Sequence, residues 1–234
     1  MTKRFVHLSP RLLKAAEMMK GFDTIADIGS DHGRLAAALL QKQYCKNVIA
    51  TDISAESLAK AEKLISYIGL DDKVTFRVGN GLQVIGNGEC DAIALLGIGG
   101  TLIRRILEQE QIPLKGAKIA VMQPMRAQAE LRQYLHNNCF HITEDFVIKE
   151  NQRFYQIFRA EKGEKPQIVP DYWPDSFYDI GFVSFEQKDP NLLALINQQL
   201  NLYSMKYQEA KGSNGEKQIN KKIEAFLSLR KMLE

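Results

Sequence analysis

Apolar residues along this chain gather in short runs separated by stretches of helical spacing, and the alternation repeats five times before the pattern changes. Residues 24–28, 47–52, 74–78, 92–96 and 118–122 read as strands. The run 92–96 is continuously apolar, as a strand covered on both faces requires. Helical spacing follows four of the five. Leu35, Ala38 and Leu39 mark a helix over about 33–43, and Leu58, Ala61, Leu64, Ile65 and Ile68 mark a longer one that Ser54 caps and Gly69 ends. Two more are expected over about 101–110 and 127–137. A leading helix starts at Ser9-Pro10, where serine can cap and proline is preorganised, and it buries Leu12, Leu13, Ala16 and Met19 up to Gly21. Such alternation predicts an α/β fold with an open, mainly parallel sheet and helices on both faces.

Beyond residue 137 the pattern changes. Residues 141–148 and 154–160 read as an antiparallel hairpin joined by the polar stretch 149–153. Residues 161–174 are charged and carry Pro166, Pro170 and Pro174, so they read as a linker, with Gly163 as the break. Two units are expected, 1–163 and 164–234. In the second, Leu193, Ile196, Leu200, Tyr203, Tyr207 and Ala210 recur every three or four residues, as in a coiled-coil seam. Residues 212–215 make a turn, and Ile219, Ile223, Phe226 and Leu233 return the stripe, giving an antiparallel helical hairpin.

In an open α/β sheet, loops at the carboxyl ends of the strands line one crevice. The first of those ends lies in Ile25–Leu35, IADIGSDHGRL, a strand turning into a helix through Gly29 and Gly33. The dinucleotide fingerprint G-x-G-x-x-G is not met, because Asp31 stands at its second glycine and Arg34 at its third. A carboxylate there repels a pyrophosphate and attracts a cation. S-adenosylmethionine carries a sulfonium and an ammonium, so Asp27, Gly29, Ser30, Asp31 and Gly33 read as a methyl-donor loop. An ordinary strand-to-helix turn is the plain alternative.

The other strand ends add Asp52-Ile53, Asn80-Gly81, Gly97–Gly100 and Gln123-Pro124-Met125. Asp52 stands 23 residues after Gly29, where an acid can accept both ribose hydroxyls of a nucleoside. Each has a plainer reading: Asp52 as a helix cap, Asn80 as a left-handed turn residue, His32 as a structural residue at a helix start. Several at consecutive strand ends together favour a cofactor site. Asp31 and His32 are the candidates for the chemistry itself, through charge stabilisation or a proton.

Composition adds little beyond the ordinary soluble class, with 45% hydrophobic and 25% charged residues. Cys45, Cys90 and Cys139 form no C-x-x-C pair, so neither a zinc site nor a disulfide framework is expected. The N-terminal MTKRFVHLSPR lacks an apolar core of signal length and no run approaches a membrane span, so a soluble cytoplasmic protein is expected, a monomer in preference. The net charge of +3 lies in 191–234, which holds seven Lys/Arg against four Asp/Glu. The first twenty residues are also basic, with Lys3, Arg4, Arg11, Lys14 and Lys20 against Glu17. These two segments are candidate nucleic-acid contacts, or simply solvated helix faces.

The motifs IADIGSDHG, ATDIS, VGNGL, DAIALLGIGG and MQP, in this order and followed by a helical tail, resemble the TrmK family of bacterial tRNA methyltransferases over nearly the whole chain. The resemblance implies a class I methyltransferase with a Rossmann-like sheet, a C-terminal coiled-coil hairpin, S-adenosylmethionine as cofactor, and methyl transfer to N1 of adenine 22 in tRNA. It gives cofactor-pocket roles to Asp27, Gly29, Asp31, His32, Asp52, Asn80, Gly81 and Gly99, and Ser30, Gly33, Ile53 and Gly97 join them as neighbours at the same strand ends. Two positions depart from the family pattern: Asn80 stands for an acid and Met125 for an asparagine. The chemistry is consistent with what surrounds these motifs. Gly97-Ile98-Gly99-Gly100 stands where exocyclic-amine methylases resemble one another in an Asn/Asp-Pro-Pro-aromatic motif, and no cysteine sits in an active-edge loop to attack a cytosine. The competing readings are a methyltransferase of another RNA, of a protein or of a small molecule, and a non-catalytic RNA-binding protein of the same fold.

Overall fold

In the computed structural model, residues 5–109, 113–169, 176–212 and 215–234 are described. Lys3, Arg4, Pro170, Pro174 and the middle of the expected 212–215 turn lie outside them. Pro10 sets the first turn of α1 (Pro10–Met18), but the Ser9 hydroxyl does not cap it; that oxygen is buried without a partner among the described residues. Ser54 does cap, accepting from Ser57 N–H at 3.2 Å. The alternation then proceeds as β1 (Thr24–Ile28), α2 (Arg34–Gln41), β2 (Asn47–Asp52), α3 (Ala55–Tyr67), β3 (Val74–Val78), β4 (Ala92–Ile98), α4 (Gly100–Glu108), β5 (Ile119–Pro124) and α5 (Gln128–Asn137). A long hairpin, β6 (Phe140–Glu150) and β7 (Arg153–Lys162), follows. Its turn is tighter than the expected 149–153 because Asn151 takes a left-handed φ of 56°.

The seven strands lie in the order β3-β2-β1-β4-β5-β7-β6. The first five in that order run parallel, and β7 pairs antiparallel with both β5 and β6. Strand order reverses between β1 and β4, so the crevice of a doubly wound sheet falls at their carboxyl ends. Burial on both faces fixes these strands. Ala16, Met19, Leu39, Ile25 and Val121 pack on one side; Ile93, Leu95, Ile103, Leu131 and Leu135 pack on the other.

Two expectations about the C-terminal part are corrected. Residues 163–168 do not form a free linker after β7. The Gln167 carboxamide accepts Ile142 N–H at 2.8 Å and donates to Ile142 C=O at 3.0 Å, and Gly163 N–H donates to Cys139 C=O at 2.7 Å. This segment covers β6, the edge of the sheet, with pairing the edge would otherwise lack. The helical stripe also starts elsewhere. After two short helices that sequence reasoning did not find, α6 (Phe177–Ile180) and α7 (Phe182–Glu186), the hairpin is α8 (Leu192–Ala210) with α9 (Glu216–Leu233). Leu192, Leu195, Ile196 and Leu200 are buried while Leu193 is exposed, because the first turns of α8 pack on Val147, Phe177 and Ile180 as well as on the returning helix. Further along, Tyr203 meets Phe226 at 5.7 Å between ring centroids, and Tyr207 donates to Glu216 at 2.9 Å. Among the described residues no helix is long and apolar enough to cross a membrane.

Candidate functional site

The loop after β1 is held open by backbone bonds to β2: Gly29 N–H and Ser30 N–H both donate to Thr51 C=O, at 2.8 and 2.9 Å. That pair of hydrogen bonds to one carbonyl goes with Gly29 at φ 78° and Asp31 at a left-handed φ of 47°. Asp31 N–H then points at Asp52, donating to Oδ2 at 3.2 Å, while Ser54 N–H donates to Oδ1 at 2.8 Å. Each carboxylate oxygen of Asp52 thus has one backbone partner and a further lone pair. Asp31 Oδ2 lies 2.6 Å from His32 Nδ1, with both side chains more than half exposed.

Around this loop the ends of β1, β2 and β4, with the turn after β3, enclose a cavity of about 1160 Å³. Asp27, Gly29, Ser30, Asp31, His32, Asp52, Ile53, Asn80, Gly81 and Gly97 all line it. Gly33 and Gly99 do not. An added Cβ on Gly33 would lie 2.8 Å from Ala61 Cβ, so that glycine serves the close approach of α2 to α3. One on Gly99 would lie 3.3 Å from Arg126 Nε, so that glycine makes room for an arginine. The hydroxyl of Thr51, buried on the same wall, has no hydrogen-bond partner among the described residues. A polar nucleoside would satisfy it, which fits the donor that the acids imply.

Sequence reasoning missed the opposite wall. Val6, His7, Arg11 and Leu12, from α1 and the segment before it, close the cavity toward β5. Arg11 Nη1 donates to Gln123 Oε1 at 2.8 Å, and the guanidinium lies 4.8 Å from the Tyr155 ring centroid and 3.6 Å from Glu150. Lys14 sits 3.7 Å over Phe146. Arg11 and Lys14, read from sequence as candidate nucleic-acid contacts or solvated helix faces, thus also dock α1 on the sheet. Only their basic character was visible in one dimension.

Burial pushes the Asp27 carboxyl up to about 6; the Ser30 hydroxyl, donating at 2.7 Å, opposes the rise, and the charge of Asp52 adds to it. A folded-state value above the ordinary 3.8 means that Asp27 contributes its full share of stability below about pH 4 and loses it as pH rises through 6. The loss amounts to ~3 kcal/mol at neutral pH. Asp27→Asn is therefore expected to melt higher than the parent at pH 7 and close to it at pH 4, with weaker donor binding. Melting curves across that range check it; a difference independent of pH would mean that Asp27 is not charged in the apoprotein.

Residues 8–158 match the methyltransferase domain family. The tRNA (adenine(22)-N(1))-methyltransferase of Bacillus subtilis (strain 168) is 32% identical over 158 residues, 68% of this chain and 66% of its own length, just under two thirds. The crystal structure of the B. subtilis m1A22 tRNA methyltransferase TrmK superposes with a TM-score of 0.81 at 25% identity, over 97% of each chain. An uncharacterised protein of Listeria monocytogenes serotype 4b superposes with a TM-score of 0.87 at 27% identity, over 95% of this chain and 99% of its own.

Proposed function

The chain belongs to the methyltransferase domain family and, within it, to the TrmK group, and from that premise we propose that it transfers a methyl group from S-adenosylmethionine to N1 of adenine 22 in tRNA. The observation that carries the reading is the cavity at the β1/β4 switch point, with the carboxylates of Asp27, Asp31 and Asp52 on its wall. When bound, the donor supplies an electrophilic methyl on a sulfonium. Asp52 has lone pairs free for the two ribose hydroxyls, and Thr51 offers a buried hydroxyl beside it. Asp27 and Asp31 hold negative charge for the ammonium and sulfonium. Ile53, exposed on the wall, gives an apolar face to a base.

Adenine N1 attacks with its in-plane lone pair. The N–C bond forms, the C–S bond breaks with its electrons returning to sulfur, and the ring takes up the positive charge. No proton has to leave N1, so alignment supplies most of the acceleration. Asp31, at the cavity mouth, stabilises the charge as it moves to the ring. His32, bonded to Asp31, orients that carboxylate. No covalent nucleophile is needed: burial pushes Cys45 up to about 12 and Cys90 up to about 11, so both remain thiols. Among the described residues no cluster of three or more His, Cys, Asp or Glu could hold a metal ion.

Because N1 lies on the Watson–Crick edge, the target must leave any pairing before it reacts. We assign the chemistry to 1–163 and RNA holding to 164–234, in a cytoplasmic monomer. Lys217 and Lys221 are exposed on α9 and Lys206 on α8, whereas Lys222 pairs with Asp179 and ties the hairpin to α6. Replacing Lys206, Lys217 and Lys221 by glutamine is expected to weaken tRNA binding and lower its salt slope by about one per lost phosphate contact, with donor affinity retained. Unchanged binding across a salt series would make the hairpin a purely structural element. For the activity itself, the deciding experiment is nucleoside mapping of tRNA incubated with purified protein and donor. N1-methyladenosine should appear at position 22 and vanish from tRNA carrying guanosine there; methylation elsewhere, or none, overturns the reading.

A further inference from the structure

The rim of the cavity on the β4/β5 side is built differently from the donor side. At Gly97 the β4–β5 ladder skips a residue: Leu96 pairs with Gln123 and Ile98 with Pro124, leaving Gly97 bulged at φ 75°. The chain after β5 is then locked to the start of α4. Met125 N–H donates to Ile98 C=O at 2.9 Å, and Gly100 N–H donates to Arg126 C=O at 2.9 Å. The lock is close enough that a Cβ on Gly100 would lie 2.5 Å from the Ala127 carbonyl oxygen, and Ala127 itself takes a left-handed φ of 58°. Strained backbone held this way marks a site whose shape is set before the ligand arrives.

The lock joins at one rim the two segments that carry Leu102, Met125 and Arg126. Leu102, 47% exposed, lines the cavity; Met125, 43% exposed, stands on the adjoining loop with its sulfur 3.5 Å from Gln123 Nε2 and 3.9 Å from Arg11 Nη1; and the Arg126 side chain lies over Gly99, its Nε 3.3 Å from where a Cβ on that glycine would stand. Arg126 is exposed and makes no ion pair among the described residues. Large apolar side chains left in water beside an unpaired guanidinium match one chemistry, a base whose flat faces need apolar contact and whose backbone carries a phosphate.

We propose that Leu102, Met125 and Arg126 form the acceptor dock of the cavity, in which the two apolar side chains bear the face of the extruded adenine and Arg126 takes the phosphate beside it. This deepens the RNA-methylation reading and rests on it. The dock uses no carboxylate, so it holds a neutral adenine through its ring faces and gains nothing from the cationic product. Base and donor then meet at the mouth of one cavity, with Asp31 and Gly97 on its wall between them.

The test pairs kinetics on purified tRNA with titration of S-adenosylhomocysteine. Methylation by the parent is read first, because its absence removes the underlying reading and this inference with it. With an active parent, Leu102→Ala with Met125→Ala is expected to lower kcat by on the order of a hundredfold through lost alignment, leaving S-adenosylhomocysteine affinity unchanged. Met125→Leu should restore most of the rate, since it keeps an apolar face of similar volume. Arg126→Gln should raise KM for tRNA with little change in kcat, and lower the salt slope of binding by about one. Parent-like kinetics in the double variant overturns the dock. So does a parallel loss of S-adenosylhomocysteine affinity, which would assign these residues to the donor side.

Discussion

Asp52→Ala is expected to weaken donor binding by at least about a hundredfold. Two hydrogen bonds from ribose hydroxyls to one carboxylate are worth ~1.5–3 kcal/mol each, and each 1.4 kcal/mol is about tenfold in affinity. The loss has a second source in the loop itself. Asp52 accepts Asp31 N–H on one oxygen and Ser54 N–H on the other, so alanine also releases the clamp that holds Asp31 at its left-handed φ. Asp52→Asn separates the two, since its single carbonyl oxygen can keep one acceptor role and its amide cannot accept. It should bind the donor with intermediate affinity. Titration with S-adenosylhomocysteine reads both variants, and melting temperature reports whether the fold survives. If alanine left affinity where it was, Asp52 would be only a staple between the β1 loop and the start of α3, and the nucleoside would have to sit elsewhere.

The place of Asp52 shows why this side of the cavity was legible in one dimension. Motifs at consecutive strand ends converge because a doubly wound sheet forces them to, and short apolar runs with helical spacing between them suffice to predict that sheet. Asp27, Asp31, Asp52 and Asn80 reach one cavity for that reason alone. Glycines carry a weaker signal. Gly29 and Gly33 look alike in sequence, yet one gives the loop its bend and the other lets α3 pass close to α2, a demand set by Ala61. Arg11 was visible only as one more basic residue, because Gln123 and Tyr155, which hold it on the cavity wall, follow more than a hundred positions later. The same applies to Gln167, whose pairing with Ile142 turns a proline-punctuated stretch into a cover for an edge strand. Stretches of low hydropathy read as linkers until a partner is known, and the partner is tertiary.

The largest expected effect on stability lies away from the cavity, at Arg132. Arg132 on α5 and Asp145 on β6 are both buried, and the guanidinium donates to the carboxylate through Nε at 3.1 Å and Nη2 at 3.0 Å. Its third nitrogen, Nη1, donates to Tyr178 C=O at 3.0 Å, and the group lies 4.7 Å from the Phe158 ring centroid. One side chain thus ties helix, sheet and α6 together. Gly181 closes over the pair so tightly that a Cβ there would lie 2.0 Å from Asp145 Oδ2. Arg132→Met should cost ~3–5 kcal/mol at pH 7, because it leaves a carboxylate buried without its partner. For a chain of this length that is a fall in melting temperature of roughly 10 °C or more. The cost should depend on pH in a stated direction. Burial pushes Asp145 up to about 6 even with Arg132 beside it, and loss of the guanidinium removes what opposes that rise. In the parent fold the carboxyl is already neutral below about 6, so the added electrostatic penalty of the variant is small there and grows as pH rises above 6, toward the still higher value that Asp145 takes without the guanidinium. Arg132→Met with Asp145→Leu should recover much of the loss, since well-packed apolar residues can replace a buried pair. Denaturant midpoints of the parent, both single variants and the double variant at pH 4.5 and 7.5 provide the check. Additive losses with no recovery in the double variant would mean that the two side chains act through packing and not through their charges.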